Sequence, residues 1–170
     1  MLARIHALAL DGKPFASWLD RSCLSPPPDA SRADVWRAAI ALLDEDRPPS
    51  RTCFVHRDYQ PFNILWSRER LTGVVDWIEA GLGPPEVDVG HCRLNLTLLF
   101  SASVADRFRE MYEAESGHEV DAWWDVHALL SYSPSWKEFL PIQIYGRAPF
   151  DAGGMTGRME EVLTGALRRA

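Results

Sequence analysis

The stretch from Val55 to Trp66 constrains this chain more than any other feature of its sequence. It contains the pattern H-x-D-x-x-x-x-N, made by His56, Asp58 and Asn63, and a further acidic residue, Asp76, ends an apolar run thirteen residues after Asn63. Phosphoryl transfer needs such a set: one carboxylate to orient and deprotonate an attacking hydroxyl, and an amide oxygen with a second carboxylate to hold magnesium on the phosphates. The combined spacing favours a reaction centre over a coincidental polar loop.

The residues after this pattern predict a β-hairpin. Residues 63–66 and 71–77 have the apolar composition of strands, and the polar residues 67–70 between them favour a turn. A hairpin with these limits brings Asn63, at the start of one strand, beside Asp76, at the end of the other. Two oxygen ligands that converge at one end of the hairpin suit a hard cation such as Mg²⁺, which takes the rest of its coordination shell from water and phosphates.

The residues before the hairpin predict a strand and an open loop. Residues 52–56 are apolar and β-branched enough for a short buried strand that delivers the chain into the loop. Pro61 fixes its own φ and disfavours helix at the residue before it, so the segment from Asp58 to Asn63 is expected to stay open. His56 is expected to pack and hydrogen-bond beneath this loop and not to act as a base.

Length and charge limit the classes of protein to which the chain can belong. With 170 residues, of which 46% are hydrophobic, it can form one domain, residues 1–170, and bury roughly 70% of its unfolded surface. The net charge of −6 and the scattered arginines argue against nucleic acid or an anionic membrane as the main partner. No apolar run reaches the ~20 residues of a membrane span. Residues 1–6 lack a signal-peptide pattern and the three cysteines lack C-x-x-C spacing, so reduced thiols and a cytoplasmic location are expected.

Outside the hairpin, the apolar spacing predicts helices. A first helix would run from Leu2 to about Ala9, and Ser31 with Asp34 forms a capping-box-like start for a second helix that Pro48 ends. The predicted fold class is therefore α+β and mainly helical, with helices packed around a small β-hairpin that carries the loop. The remaining helices are predicted over residues 87–100, 105–114, 123–132, 136–140 and 159–167, with Pro134 separating the third and fourth of these.

These motifs resemble those of the aminoglycoside phosphotransferase and choline kinase family, which is related to the protein kinases. The resemblance covers residues 2–112 and includes the continuation from Gly81 to His91, where a loop leads into a helix that carries Asp88. It implies a kinase-like C-terminal lobe. It also implies transfer of the ATP γ-phosphate, with Mg²⁺, to a hydroxyl of a small-molecule acceptor such as an aminoglycoside, an amino alcohol or a sugar.

The resemblance implies a role for each residue that matches the family motif. One group acts on the acceptor, another on the metal and nucleotide, and a third supports the loop. By this carry-over Asp58 would be the catalytic base, Asn63 and Asp76 the metal ligands, Leu65 and Val75 an apolar floor beneath adenine, and Asp88 a brace that hydrogen-bonds to the catalytic loop.

Two loop positions depart from the family pattern. Phe62 and Arg57 stand where many relatives carry glycine. Because a side chain disfavours positive φ, Phe62 is expected to keep a negative φ or to have a strained backbone. Arg57 is expected to face solvent or to form an ion pair.

A larger departure concerns the nucleotide. The family also uses an N-terminal lobe with a loop over the phosphates and a strand lysine, whereas this sequence has no G-x-G-x-x-G and its two lysines are Lys13 and Lys137. The chain is therefore expected to represent the C-terminal lobe and to turn over little by itself. The apolar face around Leu65, Val75 and Trp77 would then be open to pairing with a second copy.

The acceptor site is less defined. The aromatic residues between 123 and 139 are most simply core. Alternatively, Trp124 with Asp125, or Glu79 shortly after Asp76, could receive a cationic or polyhydroxylated acceptor by stacking and charge.

Two other functions and one metal site are alternatives to this interpretation. A metal-dependent hydrolase could use Asp58 and Asp76, but it would need further carboxylate or histidine ligands. A catalytically idle relative could act as a binding module for a small molecule or a protein. His91 and Cys92 could resemble zinc ligands, but adjacent helical residues point about 100° apart and no third ligand has suitable spacing.

Overall fold

A computed structural model provides the structure of the protein and describes residues 1–133, 135–145 and 150–170. Short 3₁₀ turns lie at Arg21–Cys23 and Pro61–Asn63. The helices are α1 (Leu2–Ile5), α2 (Ala33–Leu42), α3 (Glu86–Leu99), α4 (Ala102–Ser116), α5 (Ala122–Leu129), α6 (Trp136–Ile144) and α7 (Met155–Leu167). The strands are β1 (Lys13–Pro14), β2 (Cys53–Val55), β3 (Ile64–Ser67), β4 (Arg70–Val74) and β5 (Gly81–Gly83).

Helix α3 lies at the centre of the structure. Most of its residues are buried, and it packs against α4, α5 and α7. Because neighbours cover nearly all of its sides, even Arg93 and Asn95 are fully buried. At Gly90 a Cβ would lie 2.3 Å from the Cβ of Ala128, so a larger residue would force α3 and α5 apart.

Two groups of buried apolar side chains stabilise these elements. The larger group joins α2, β2, α3, α5 and α7 and contains Trp36, Leu94, Leu129 and Met159. The smaller group lies beneath residues 56–63, the loop that the family resemblance identifies as the catalytic loop, and connects α1 with α3 and α4. It consists of Leu2, Ile5, Tyr59, Val89, Cys92, Tyr112 and Val120. The loop is therefore anchored on the helical core from below.

The strands form two small sheets. In the three-stranded sheet, β5 lies in the centre, parallel to β1 and antiparallel to β2, with Cys53 opposite Gly83. In the hairpin, β3 and β4 are antiparallel with Ile64 opposite Val74 and an irregularity between Leu65 and Trp66. The hairpin therefore projects from the helical core as a separate layer.

The predicted fold class, α+β and mainly helical, is confirmed. The hairpin forms with its turn where the sequence predicts it, but β4 ends at Val74, so Asp76 lies two residues beyond the strand and not within it as predicted. The polar turn places Arg68 and Glu69 at positive φ. Strands β1 and β5 were not predicted, because they are two or three residues long and rich in glycine and proline.

Several helix limits differ from the prediction. α1 ends at Ile5, and Leu8 is half exposed beyond it. α4 begins at Ala102 and α7 at Met155, each a few residues earlier than predicted. α6 continues through Pro141 to Ile144. The separation predicted at Pro134 falls outside the described residues.

Among the described residues, no helix has both the length and the hydropathy that a membrane span requires. All three cysteines are free thiols, as predicted.

Candidate active site

The catalytic loop is held by backbone hydrogen bonds to one buried carboxylate. Strand β2 ends at Val55, and Asp88 of α3 then accepts hydrogen bonds from the backbone N–H groups of His56 at 2.7 Å and Arg57 at 2.6 Å. His6 lies 3.0 Å from the same carboxylate. The bracing role expected for Asp88 is therefore what its contacts show. The loop then closes in a 3₁₀ turn at Pro61–Asn63 and is not open as predicted.

His56 supports the loop from beneath. Its side chain is fully buried; Nε2 lies 2.9 Å from the carbonyl oxygen of Val75, and Nδ1 accepts the backbone N–H of Asp58 at 3.2 Å. The ring therefore links the catalytic loop to the hairpin, which is the structural role predicted for it. Phe62 also follows the prediction, since it lies in the 3₁₀ turn and is not among the residues with positive φ.

Asp58 has a half-buried carboxylate with three side-chain partners. Gln60 donates to Oδ1 at 2.7 Å and Asn63 donates to Oδ2 at 2.8 Å. Nε2 of His91 lies 3.0 Å from Oδ1. Burial alone would raise the pKa of Asp58, but the hydrogen bond and charge of His91, with the hydrogen bonds from Asn63 and Gln60, outweigh burial and lower the pKa below its usual value. The group is therefore ionised at neutral pH.

The hairpin brings Asn63 and Asp76 to the same end of the β3–β4 hairpin. The backbone N–H of Val75 donates to the carbonyl oxygen of Asn63 at 2.9 Å, so Asp76 follows directly on the residue that pairs with Asn63. Asp76 is exposed and has a φ of 65°, a left-handed conformation that is uncommon for a residue with a side chain. Backbone strain of this kind often occurs at functional sites.

The side-chain oxygen atoms of Asn63 and Asp76 are of a kind that fits Mg²⁺. Asn63 donates both of its described side-chain hydrogen bonds to Asp58 through Nδ2, so its Oδ1 accepts no hydrogen bond from the described residues. This oxygen and the carboxylate of Asp76 are ligands of the hard type that Mg²⁺ prefers, with phosphate oxygens and water completing the shell. Within the described residues, no three His, Cys, Asp or Glu side chains group as a metal site.

The outer face of the hairpin is apolar. Leu65 is 48% exposed and Val75 and Trp77 are each 39% exposed. Leu65 lies opposite Gly73, whose missing side chain leaves a shallow surface beside Leu65. The two residues predicted to lie beneath adenine, Leu65 and Val75, are therefore on an accessible surface near Asn63 and Asp76.

Arg57 has a conformation that explains why a glycine would suit its position. Its φ is 70°, which costs a residue with a side chain roughly 1–2 kcal/mol. The buried guanidinium lies 4.6 Å from the ring of Trp18, donates to the carbonyl oxygen of Ala16 at 2.5 Å and lies 3.5 Å from Glu79. The ion pair predicted as one of two alternatives is present, and these contacts offset the strain.

The residues suggested as alternatives for acceptor binding already have partners within the protein. Glu79 is bound by two cations, Lys13 at 3.3 Å and Arg57 at 3.5 Å. Trp124 is buried and donates from its indole to the carbonyl oxygen of Pro48. Its placement supports the simpler interpretation of this aromatic group as core.

Asp125 is the clearest correction. It is fully buried and pairs with Arg93 and Arg169. Its carboxylate is therefore part of a buried ion cluster, and it is not accessible to an acceptor. The sequence showed an acidic residue beside an aromatic one, but it did not show that Arg93 of α3 and Arg169, just after the end of α7, pair with it.

A cavity near Asp58 is a better candidate for the acceptor. It measures about 540 Å³ and reaches His91, whose ring meets that of Trp18 edge-on at a centroid distance of 6.4 Å. Its wall combines aliphatic and proline side chains with four large aromatic residues, Trp18, Trp36, Tyr132 and Trp136, and it includes Asp20 and several serines. Neither His91 nor Trp18 was predicted from the sequence to line an acceptor site. The signal for His91 was its position three residues after Asp88, which places both on one face of a helix.

Comparison with known proteins places this site in a family. Residues 1–124 match the sequence profile of the phosphotransferase enzyme family, APH. A solved structure of a choline/ethanolamine kinase family protein from Mesorhizobium loti aligns with a TM-score of 0.52 and 19% identity, over 99% of this chain and 64% of that one. At this identity the alignment shows a shared fold. No curated protein matches the sequence. With its family profile matched over most of its length, and with the motif residues grouped around one mouth, the chain belongs to the phosphotransferase enzyme family.

Proposed function

We propose that the chain carries the catalytic and acceptor side of an ATP-dependent phosphotransferase that acts on a hydroxyl of a small molecule. One observation supports this most directly: Asn63 connects the two halves of the reaction centre. Its side-chain N–H groups donate to Asp58 at 2.8 and 2.9 Å, and its carbonyl oxygen accepts from Val75, the neighbour of Asp76. The base and the metal ligands are therefore held at a fixed separation.

In the proposed reaction, Asp58 orients the acceptor hydroxyl and takes its proton. The acceptor oxygen forms a bond to the γ-phosphorus of ATP while the bond from that phosphorus to the β,γ-bridging oxygen breaks, and the electron pair leaves with ADP. The proton later passes from Asp58 to water. Because the pKa of Asp58 is lowered, this carboxylate is a weak base, and proton transfer follows only when the hydroxyl has become acidic through bond formation to phosphorus.

Asn63 and Asp76 are the residues proposed to hold Mg²⁺, which would neutralise charge on the phosphates. Leu65 and Val75 are proposed to contact adenine through the apolar face of the hairpin. The adenine assignment uses an accessible surface, since Leu65 and Val75 are 48% and 39% exposed, and of the two metal-site residues Asp76 is exposed whereas Asn63 is buried.

The acceptor is proposed to bind in the cavity beside His91 and Trp18. Several aromatic residues and one carboxylate, Asp20, line its described wall. Such a wall favours a compact acceptor with an apolar or singly cationic surface, because a polycation would need several carboxylates to replace its hydration. Among the acceptor classes implied by the family, an amino alcohol agrees with this chemistry better than an aminoglycoside.

We also propose that these 170 residues turn over slowly by themselves. Lys13 is paired with Glu79 and Lys137 with Asp29, so both lysines already neutralise a carboxylate. Positioning of the phosphates supplies much of the rate in phosphoryl transfer. The test should therefore detect small amounts of product.

The experiment incubates the chain at high concentration with ATP, Mg²⁺ and a panel of amino alcohols, sugars and aminoglycosides, and measures phosphorylated product by mass spectrometry. Asp58→Asn is expected to lower kcat by roughly 10²-fold or more, the usual contribution of a general base, and to leave nucleotide affinity almost unchanged. Near-normal turnover by this variant would remove Asp58 from the mechanism. Absence of product with every acceptor, together with absence of Mg²⁺–nucleotide binding by calorimetry, would refute the proposed function.

A further inference from the structure

Residues 13–20, which we call the N-terminal strap, lie against the catalytic loop. The strap begins with the two residues of β1, and its described residues 15–20 form no helix or strand. The backbone N–H of Phe15 donates to the carbonyl oxygen of Leu82 at 2.7 Å, and that of Leu19 donates to Oγ of Ser17 at 3.0 Å. Because a segment without regular structure has few backbone hydrogen bonds, its position depends on side-chain contacts.

Arg57 of the catalytic loop contacts the middle of the strap. Its guanidinium lies 4.6 Å from the centroid of the Trp18 ring and 5.3 Å from that of Phe15, and it donates to the carbonyl oxygen of Ala16 at 2.5 Å. The side chain of Arg57 is 6% exposed. Because a cation is attracted to an aromatic ring more strongly when water is excluded, these contacts hold the strap to the loop.

Glu79 connects the start of the strap to the same guanidinium. Its carboxylate lies 3.5 Å from Arg57 and 3.3 Å from Nζ of Lys13. Lys13 also donates to the carbonyl oxygen of Ile78 at 3.3 Å. The side chain of Lys13 is half exposed, so water screens its charge, and the buried Arg57 makes the stronger of the two attachments.

The strap supplies part of the wall of the acceptor cavity. Trp18, Leu19 and Asp20 line this cavity of about 540 Å³. Trp18 is 57% exposed, so packing against the core does not fix its ring. The ring contacts the guanidinium of Arg57 and meets that of His91 edge-on. The position of Trp18 at the cavity therefore depends on Arg57.

The backbone at position 57 does not need an arginine. Its φ of 70° lies in the left-handed region, which glycine adopts without steric cost. Asp88 holds this backbone by accepting the N–H of Arg57 at 2.6 Å, a contact that does not involve the guanidinium. Arg57→Gly should therefore remove the contacts with the strap while the catalytic loop keeps its conformation.

We propose that Arg57 is a positioning residue for the acceptor site: it holds the N-terminal strap against the catalytic loop and thereby places Trp18 at the wall of the acceptor cavity. The kinetic consequence rests on the proposed phosphotransferase function. The guanidinium contacts the strap and Glu79, so it takes no part in proton transfer at Asp58. Arg57 therefore sets the affinity for the acceptor and not the rate of the chemical step.

The kinetic test compares two arginines that both have positive φ. Arg57→Gly is expected to raise the KM for the acceptor roughly tenfold, with kcat and the KM for ATP almost unchanged. Arg68→Gly is the matched control, since Arg68 has a φ of 50° but lies exposed in the hairpin turn. The control should keep all three constants.

A double-mutant cycle separates positioning from a general loss of packing. Trp18→Ala should also raise the KM for the acceptor, and Arg57→Gly should add little to it in that background, because Arg57 acts through Trp18. Three outcomes would each overturn the proposal. These are an unchanged acceptor KM or a lowered kcat in Arg57→Gly, additive effects of the two substitutions, and an equal effect in Arg68→Gly.

A second measurement does not depend on turnover. Hydrogen exchange followed by mass spectrometry reports the strap through the amides of Phe15 and Leu19, which have hydrogen-bond acceptors, and it reports overall folding through α7. Arg57→Gly is expected to speed exchange in the strap roughly tenfold and to leave α7 unchanged, whereas Arg68→Gly should change neither.

Unchanged exchange of the strap in Arg57→Gly would overturn the proposal. If α7 shows that this variant is unfolded, the comparison is made with Arg57→Lys, which keeps the charge but loses the planar face and should also speed exchange in the strap. If the wild-type chain forms no product, the proposed function fails, and the exchange result still decides whether Arg57 holds the strap.

Discussion

Replacing Asp125 with alanine is expected to destabilise the protein strongly, because this carboxylate compensates a buried charge. Arg93 is fully buried, and its guanidinium pairs with Asp125 and Asp106 and donates to the carbonyl oxygen of Ala105 at 3.3 Å. Burial alone would lower the pKa of Arg93, but the charges of Asp125 and Asp106 raise it above the usual value. The arginine therefore stays charged in the folded protein and needs its partner.

The expected loss of unfolding free energy depends on which partner of Arg93 is removed. Loss of one member of a buried ion pair costs about 3–5 kcal/mol, because the other charge remains without compensation. Asp106 pairs with the same arginine, but its side chain is 40% exposed, so water can replace it and Asp106→Ala should cost about 1 kcal/mol or less. For a chain of this size, the loss predicted for Asp125→Ala corresponds to a Tm lower by about 6–20 °C.

The assay is urea and thermal unfolding of the wild type, Asp125→Ala and Asp106→Ala, followed by circular dichroism. Acceptor binding is measured in parallel at a temperature at which all three are folded. An unfolding free energy within 1 kcal/mol of the wild type for Asp125→Ala, or equal losses in the two variants, would refute the assignment of Asp125 to the ion cluster. Normal stability with lost acceptor binding would instead restore the acceptor role that the sequence suggested.

Three further results are expected. Asp76→Ala should abolish Mg²⁺-dependent nucleotide binding in calorimetry and Asn63→Ala should weaken it, because a carboxylate brings charge and an amide only a dipole; unaltered binding in both would exclude the pair as the metal site. Burial, with the charges of Arg21 and Arg47, lowers the pKa of His127 to about 4. Between about pH 6.5 and pH 4 the unfolded chain therefore binds a proton at His127 that the folded chain does not bind. The free energy of unfolding should fall by up to about 3 kcal/mol as the pH falls through this range. His127→Gln should remove that part of the pH dependence, and an unchanged slope would contradict it. Light scattering should show a dimer or larger species that Leu65→Ser weakens, because the outer hairpin face is apolar and exposed; a strict monomer at all concentrations would refute this association.

The hairpin could be predicted because its determinants are local, whereas the 3₁₀ turn at Pro61–Asn63 was not predicted. The polar turn and the apolar strands act over a few residues, so the pairing that brings Asp76 close to Asn63 follows from spacing. The bracing role of Asp88 and the support from His56 came with the family motif, and the hydrogen bonds agree with both.

The remaining parts of the site could not be predicted, because they depend on contacts between distant segments. Strands β1 and β5 form only when residues 13–14 meet residues 81–83. Asp125 looked like an acceptor ligand until Arg93 and Arg169 were placed around it. His91 was considered as a zinc ligand with Cys92, but the packing of α3 turns His91 toward Asp58 and buries Cys92.

The sequence by itself determined the motif of this protein: two carboxylates and an amide at spacings that a short loop and a hairpin bring into one candidate site. Tertiary structure decided which other charged and aromatic residues lie near that site and which charged residues are buried in ion pairs. The physical reason is that hairpin register and loop closure depend on neighbouring residues, whereas burial and ion pairing depend on which helices pack together. Only the packed helices set the distance from His91 to Asp58 and the exclusion of Asp125 from solvent.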